Sequence, residues 1–268
     1  MSVERWQSRL FTVAMTLLSR GLMARDDLLG VTRGLRRHDD REEFFFASGE
    51  RQLSAVFVAG VKDGPVVLLC HGIGERVGHW SAVQNYLCEH GVGSLVFNYS
   101  GYGASTGGIS TGSCDGDLIA AYAELKRRAG MSAPVFVLGF SLGSGIAGSG
   151  AGSLMPPPAG LFLCEAFTSF REAALAAGFP RRMISIIPDI WNTVEAMRKV
   201  CFPVCVIHSD GDTLFPLEMP RKITDACGEM GELIVVSGLA HNEPYLRPDE
   251  AYWGPVVAKV LAGSSGHG

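Results

Sequence analysis

Three residues of this chain have the types and settings for nucleophilic chemistry: Ser141, Asp212 and His241. A serine hydroxyl attacks poorly until a base takes its proton. The base is usually a histidine, and a carboxylate fixes the histidine's tautomer and offsets its developing charge. Each of the three follows a short apolar run. Pro134-Val135-Phe136-Val137-Leu138 leads into Gly139-Phe140-Ser141-Leu142-Gly143. Pro203-Val204-Cys205-Val206-Ile207 leads into His208-Ser209-Asp210-Gly211-Asp212. Leu233-Ile234-Val235-Val236 leads into Ser237-Gly238-Leu239-Ala240-His241. Two other carboxylates compete for the acid role, Asp210 in the same turn and Glu165 at the end of Gly160-Leu161-Phe162-Leu163-Cys164.

The serine pentapeptide reads as a strand, a sharp turn and a closely packed helix. Glycines two before and two after the serine suit a place where strand and helix approach too closely for a Cβ. The helix N-terminus then directs unpaired N–H groups toward whatever Ser141 attacks. In a chain with 34 glycines the pentapeptide is unspecific alone, and its neighbours must decide.

The neighbouring elements form a consistent frame. Glu43–Ala47 and Leu53–Val58 read as a hairpin around Ser48-Gly49-Glu50. Pro65–Cys70 is short and wholly apolar, as suits a strand covered on both faces, and Ser94–Asn98, the run before Ser141, Gly160–Cys164, Pro203–Ile207 and Leu233–Val236 read as further strands. Helices are expected over Trp80–His90, Asp115–Arg128, from near Pro216, and over Pro248–Leu261. Residues 167–200 form an insertion of helical character, broken at Pro180 and Pro188. Strands alternating with helices indicate a mostly parallel, doubly wound sheet, whose chemistry gathers at the carboxyl ends of the strands. His71, Ser141, Glu165, Asp212 and His241 all fall there.

Composition limits the function classes. With 19% charged residues, 47% hydrophobic residues and a net charge of −4, nothing points to nucleic acid. The seven cysteines are scattered and several lie inside apolar runs, which argues for free thiols, a reducing compartment and a cytoplasmic protein. Cys201 and Cys205 lack the spacing and histidine partners of a zinc site, and no metal is expected.

Residues 1–42 stand apart as an N-terminal helical extension. Leu10, Val13, Ala14, Leu17, Leu18 and Leu22 recur at helical spacing with arginines between them. Three readings stay open: a helix packed on the domain, a basic amphipathic helix on a membrane surface, and a secretory signal. The uncharged stretch from Leu10 to Ser19 is too short to span a bilayer. Residues 43–262 make the main domain, and residues 263–268 a flexible tail.

Six segments in order carry a family resemblance: His71-Gly72, Tyr99-x-Gly101-Tyr102-Gly103-x-Ser105, the serine turn, Glu165-Ala166-Phe167-Thr168-Ser169, His208-x-x-x-Asp212-x-x-x-Pro216, and Gly238-x-x-His241-Asn242. Over residues 43–262 the sequence resembles α/β-hydrolases, which use the same serine, acid, histidine order. It is most similar to the short-cap branch of lysophospholipase-like, monoacylglycerol-lipase-like and depalmitoylase-like enzymes. The resemblance implies an eight-stranded, mostly parallel sheet with a short helical cap. It makes Ser141 the nucleophile, His241 the base and Asp212 its carboxylate, at the family's spacing to Pro216. The backbone N–H groups of Ile73 and Leu142 become the oxyanion hole, and His71 shapes the loop. One departure is Asn98-Tyr99-Ser100-Gly101, where the family often has Asp-x-Arg-Gly.

The cap would lie over Ser141 and supply Phe170, Phe179, Met183, Ile187 and Trp191 as substrate-binding residues, the rest of its apolar side chains holding it on the domain. The implied activity is hydrolysis of a carboxylic ester or thioester with an apolar acyl group, with no cofactor. The rivals are acyl transfer on the same three residues, a peptidase, and a non-catalytic binding module on the same fold.

Overall fold

A hydrophobic residue at every second strand position on both faces requires two covering layers, and the computed structural model has them. It describes residues 41–130 and 132–264. Eight strands form one sheet: β1 (Arg41–Ser48), β2 (Arg51–Val58), β3 (Val66–Cys70), β4 (Gly93–Phe97), β5 (Val135–Phe140), β6 (Gly160–Cys164), β7 (Val204–Ser209) and β8 (Gly231–Val236). Their spatial order is β1-β2-β4-β3-β5-β6-β7-β8. β1 pairs antiparallel with β2, and β2 antiparallel with β4; the remaining pairs are parallel. β3 to β7 are buried along their whole length, while the edge strands β1 and β8 are partly exposed.

Side chains alternate across the sheet. Leu68, Leu95, Val137, Leu163 and Val206 face one layer, and Leu69, Val96, Leu138, Phe162 and Ile207 the other. The first layer holds α2 (Thr111–Ala129) and α3 (Leu142–Gly150), together with α6 (Glu218–Cys227). The second holds α1 (Ser81–Glu89) and α8 (Glu250–Ser264). Trp80 and Trp253 are fully buried in the second layer and meet edge to face. Burying a large apolar side chain contributes about 1.5–3 kcal/mol, so these helices are held by packing rather than by propensity.

Between β6 and β7 the expected insertion contains two short helices, α4 (Phe170–Ala176) and α5 (Thr193–Met197), and between them a 3-10 turn at Arg181–Ile186. Another short helix, α7 (Glu243–Leu246), was not expected from the sequence. α2 begins four residues before the expected Asp115. Ser110 Oγ accepts from Ser113 N at 3.0 Å and Ser113 Oγ accepts from Ser110 N at 2.7 Å, a reciprocal cap that starts the helix at Thr111. The last helix runs to Ser264, past the expected Leu261. The readings of residues 1–40, and of the tail beyond Ser264, lie outside the described residues. No helix among the described residues is long and apolar enough to cross a membrane.

Candidate active site

Ser141 stands between β5 and α3 with φ 51° and ψ −116°, a conformation that side chains rarely adopt. Close packing enforces it. A Cβ on Gly139 would come within 2.3 Å of Gly143 O, and one on Gly143 within 1.9 Å of Cys70 O. Ser141 N also donates to Cys164 O on β6 at 3.0 Å. The strained turn is therefore held from three strands, and strain of this kind persists only where surrounding structure over-determines it.

The turn after β7 brings Asp212, and the loop after β8 brings His241. His241 Nδ1 lies 2.8 Å from Asp212 Oδ2, and His241 Nε2 lies 2.9 Å from Ser141 Oγ. Burial pushes the Asp212 carboxyl up. The bond and charge of His241, the Leu214 N–H and the Glu165 carboxyl together outweigh it and hold Asp212 below the usual carboxylate range. An ionised carboxylate only accepts, so Nδ1 carries the imidazole proton. The Nε2 lone pair of the neutral ring then faces the Ser141 hydroxyl. Asp212 Oδ1 accepts from Leu214 N at 2.7 Å and Phe215 N at 3.1 Å, which fixes the carboxylate plane. The imidazole sits between the rings of Phe140 and Phe215, with centroids 5.6 and 5.1 Å away.

The rival acids are elsewhere. Asp210 is exposed and braces the His241 loop, accepting from Gly238 N at 2.7 Å and Ser237 Oγ at 3.3 Å. Glu165 is fully buried behind Asp212 and accepts from Ser209 N at 3.0 Å. Glu165, Asp212 and His241 are the one grouping among the described residues compact enough for a metal ion. Asp212 and His241 are engaged instead with each other, with Ser141 Oγ and with backbone N–H groups, and Glu165 Oε1 with Ser209 N.

The loop after β3 faces Ser141. His71 is buried with Nδ1 2.8 Å from Gly72 O, so Nδ1 carries the proton and donates. Burial lowers its pKa to about 4, the Gly72 bond opposing and nearby His79 reinforcing the shift, so it stays neutral across the ordinary range. Glu75 ties this loop down. It is buried, and its Oε2 accepts from Gly72 N and Trp80 Nε1, each at 2.8 Å. The clamp holds Gly72 beside the serine, where an added Cβ would lie 3.3 Å from Ser141 Cβ. An acid three residues beyond the His-Gly pair, ahead of a tryptophan that enters a helix, was the only signal available for it.

A cavity of about 600 Å³ opens at Ser141. Ile73 and Leu142 line it beside the serine, with Phe167, Leu214 and Phe215 from the sheet side. Of the five residues expected from the cap, Phe170, Phe179 and Ile187 line it. Met183 is 43% exposed and outside it. Trp191 is buried behind Phe170, ring centroids 5.7 Å apart, and lines a different surface cleft. Among the described residues no charged side chain lines the cavity at Ser141.

Comparisons with known proteins bear on the fold that carries this arrangement. Residues 62–193 match the family model described as serine aminopeptidase, S33. An esterase of Pyrococcus furiosus superposes with TM-score 0.68 over 85% of this chain and 94% of its own, at 20% identity. An α/β-hydrolase of Vibrio vulnificus superposes with TM-score 0.72 over 92% of both chains, at 16% identity. The chain has the α/β-hydrolase fold. Among curated sequences, the chain is 32% identical over 191 residues to an uncharacterized protein of Mycobacterium tuberculosis, covering 68% of this chain and 65% of that one. It is 29% identical over 187 residues to lysophosphatidylserine lipase ABHD12 of Danio rerio, covering 63% of this chain and 49% of that one. The chain thus spans about half to two thirds of the length of the curated relatives it matches.

Proposed function

We propose that the protein is a serine hydrolase that cleaves carboxylic esters or thioesters of apolar acyl groups through an acyl-enzyme. The observation that carries this is the hydrogen-bonded row Ser141, His241, Asp212 opening into an uncharged cavity of about 600 Å³. That volume is within the roughly 300–1,000 Å³ usual for small-molecule sites.

The steps follow from the geometry. His241 Nε2 takes the Ser141 proton as Oγ adds to the acyl carbon. Asp212 stabilises the imidazolium. The carbonyl oxygen, now negative, is received by the N–H groups of Leu142 and Ile73, aided by the positive end of α3. The imidazolium returns its proton to the leaving alcohol or thiol, and the acyl group stays on Oγ. A water then repeats the sequence and releases the acid. The acyl chain occupies the apolar cavity, while the leaving group remains outside it. The name of the zebrafish relative fits this reading, since a lysophospholipid carries a single fatty acyl ester.

The matched family's description offers a second reading, an aminopeptidase. A peptide amino terminus needs a carboxylate to hold its ammonium group, and the cavity has none among the described residues. A panel of p-nitrophenyl esters, acyl thioesters and aminoacyl anilides separates the two. Increasing kcat/KM with acyl length on esters or thioesters, and little turnover of anilides, is expected. Preference for aminoacyl anilides would replace this reading with the second. Added alcohols or amines that divert the acyl group from water would make the enzyme an acyltransferase.

A further inference from the structure

Behind Asp212, away from the cavity, lies a buried cluster that the proposed chemistry does not use. Glu165 follows β6 with φ 46°, a left-handed conformation for a residue that has a Cβ, and both it and His208 are fully buried. Glu165 Oε1 accepts from Ser209 N at 3.0 Å. Glu165 Oε2 faces His208 Nδ1 at 3.5 Å, and neither atom has a hydrogen-bond partner of normal length. His208 Nε2 lies 2.8 Å from Phe215 O. A carbonyl only accepts, so Nε2 carries the imidazole proton and a neutral ring leaves Nδ1 as an acceptor. Two acceptors would then face each other in a fully buried site, with the Asp212 carboxylate beside them and His208 Nε2 3.6 Å from Asp212 Oδ2. One more proton resolves the conflict.

We propose that Glu165 is a neutral carboxylic acid, its Oε2–H the donor directed at Asp212 and His208 Nδ1, and that it is the positioning residue for Asp212. This role in positioning rests on the hydrolase reading above; the protonation state does not. The cluster then holds one negative charge, on Asp212, where His241 needs it. Two adjacent carboxylates in a buried site do not both ionise readily. The groups facing Glu165 agree with this: Asp212 and His208 from β7 and its turn, His241 from the loop after β8, Cys164 beside it, and Tyr252 from α8. None is a fixed cation. Burial first, and then the Asp212 carboxylate, push the Glu165 pKa up to about 9, while burial lowers that of His208.

The test is Glu165→Gln, which keeps the Oε1 acceptor and puts a neutral donor where Oε2–H stands. Three readouts apply. In infrared difference spectra at neutral pH, wild type should show a protonated-carboxyl band that the variant lacks. In melting experiments the variant should be the more stable, by a margin widening from about pH 5 to about pH 9. Over that range the folded wild type must take up a proton that the unfolded chain has released. For activity, Glu165→Gln should keep kcat/KM within about threefold of wild type, while Glu165→Ala, which leaves His208 and Asp212 without the donor, should lower kcat more than it changes KM. An alkaline limb near pH 9 should be present in wild type and absent in the Gln variant.

Absence of the carboxyl band, or a Gln variant less stable than wild type, would overturn the neutral-acid assignment in favour of a buried Glu165–His208 ion pair. A loss of about a hundredfold or more in Glu165→Gln, with the spectra and melting as expected, would overturn the positioning role alone. An inactive wild type that passes the spectral and melting tests would instead count against the hydrolase reading.

Discussion

The floor of the site and its roof are built in opposite ways. The floor is the set of strand ends that carry Ser141, Glu165, Asp212 and the approach to His241. Its polar atoms are tied to one another and to backbone, and its strained residues Ser141 and Glu165 are locked by neighbouring strands. The roof is residues 167–200: two helices of seven and five residues, a 3-10 turn with no buried residue, and the apolar wall of the cavity. Position matters to tenths of an ångström in the floor, whereas the roof needs only to be apolar and roughly the right size. In the account proposed here, substitutions in the floor alter the chemical step, and substitutions in the roof alter which acyl group is accepted.

The largest test of that contrast is Ser141→Ala, expected to lower kcat by about a million-fold on any accepted ester with little change in KM. A loss of only about tenfold would remove Ser141 from the mechanism. Next is Asp212→Asn, which keeps the shape but loses the charge that holds Nδ1–H; kcat should fall by about 10,000-fold, while Asp210→Asn, in the same turn, changes it little. If the two Asn variants lost activity equally, the floor would be less specific than its hydrogen bonds imply.

Much of the floor was legible before the fold was known. Strands covered on both faces are short unbroken apolar runs, and a doubly wound sheet places the residues after such runs at one edge. The positions of Ser141, Asp212 and His241 follow from those two facts. The roof was legible in composition but not in direction. With helices this short and a 3-10 turn between them, no 3.6-residue period survives to say which side chains turn inward. Phe170, Phe179 and Ile187 therefore line the cavity, Met183 points to solvent and Trp191 lies beneath. The Glu75 clamp was missed because its partners, Gly72 N and Trp80 Nε1, are loop and side-chain atoms with no repeating pattern.

Stability tests the floor independently of activity. His71 stays neutral when folded, with its pKa lowered to about 4 by burial. Against an unfolded value of about 6.5, the unfolded chain binds a proton that the folded chain does not as pH falls between the two. Stability present above about pH 6.5 is therefore lost toward about pH 4, by about 3 kcal/mol from this residue. Denaturant melts of wild type and His71→Gln across that range check it: the variant should lack that part of the slope. Equal slopes would place His71 outside the water-free floor.

The smallest expected effect belongs to the roof. Ala174 lines the cavity, and Ala174→Phe should shorten the accepted acyl chain, lowering kcat/KM on long-chain esters by about tenfold or more while leaving acetyl esters nearly unchanged. An equal loss on both would mean that the roof contributes to the chemical step and would erase the contrast.

The most direct test of the central claim is intact-mass analysis after exposure to a fluorophosphonate, on wild type and Ser141→Ala. The account predicts one covalent adduct on wild type and none on the variant. A folded wild type that takes up no label, or a Ser141→Ala variant that still does, would contradict it.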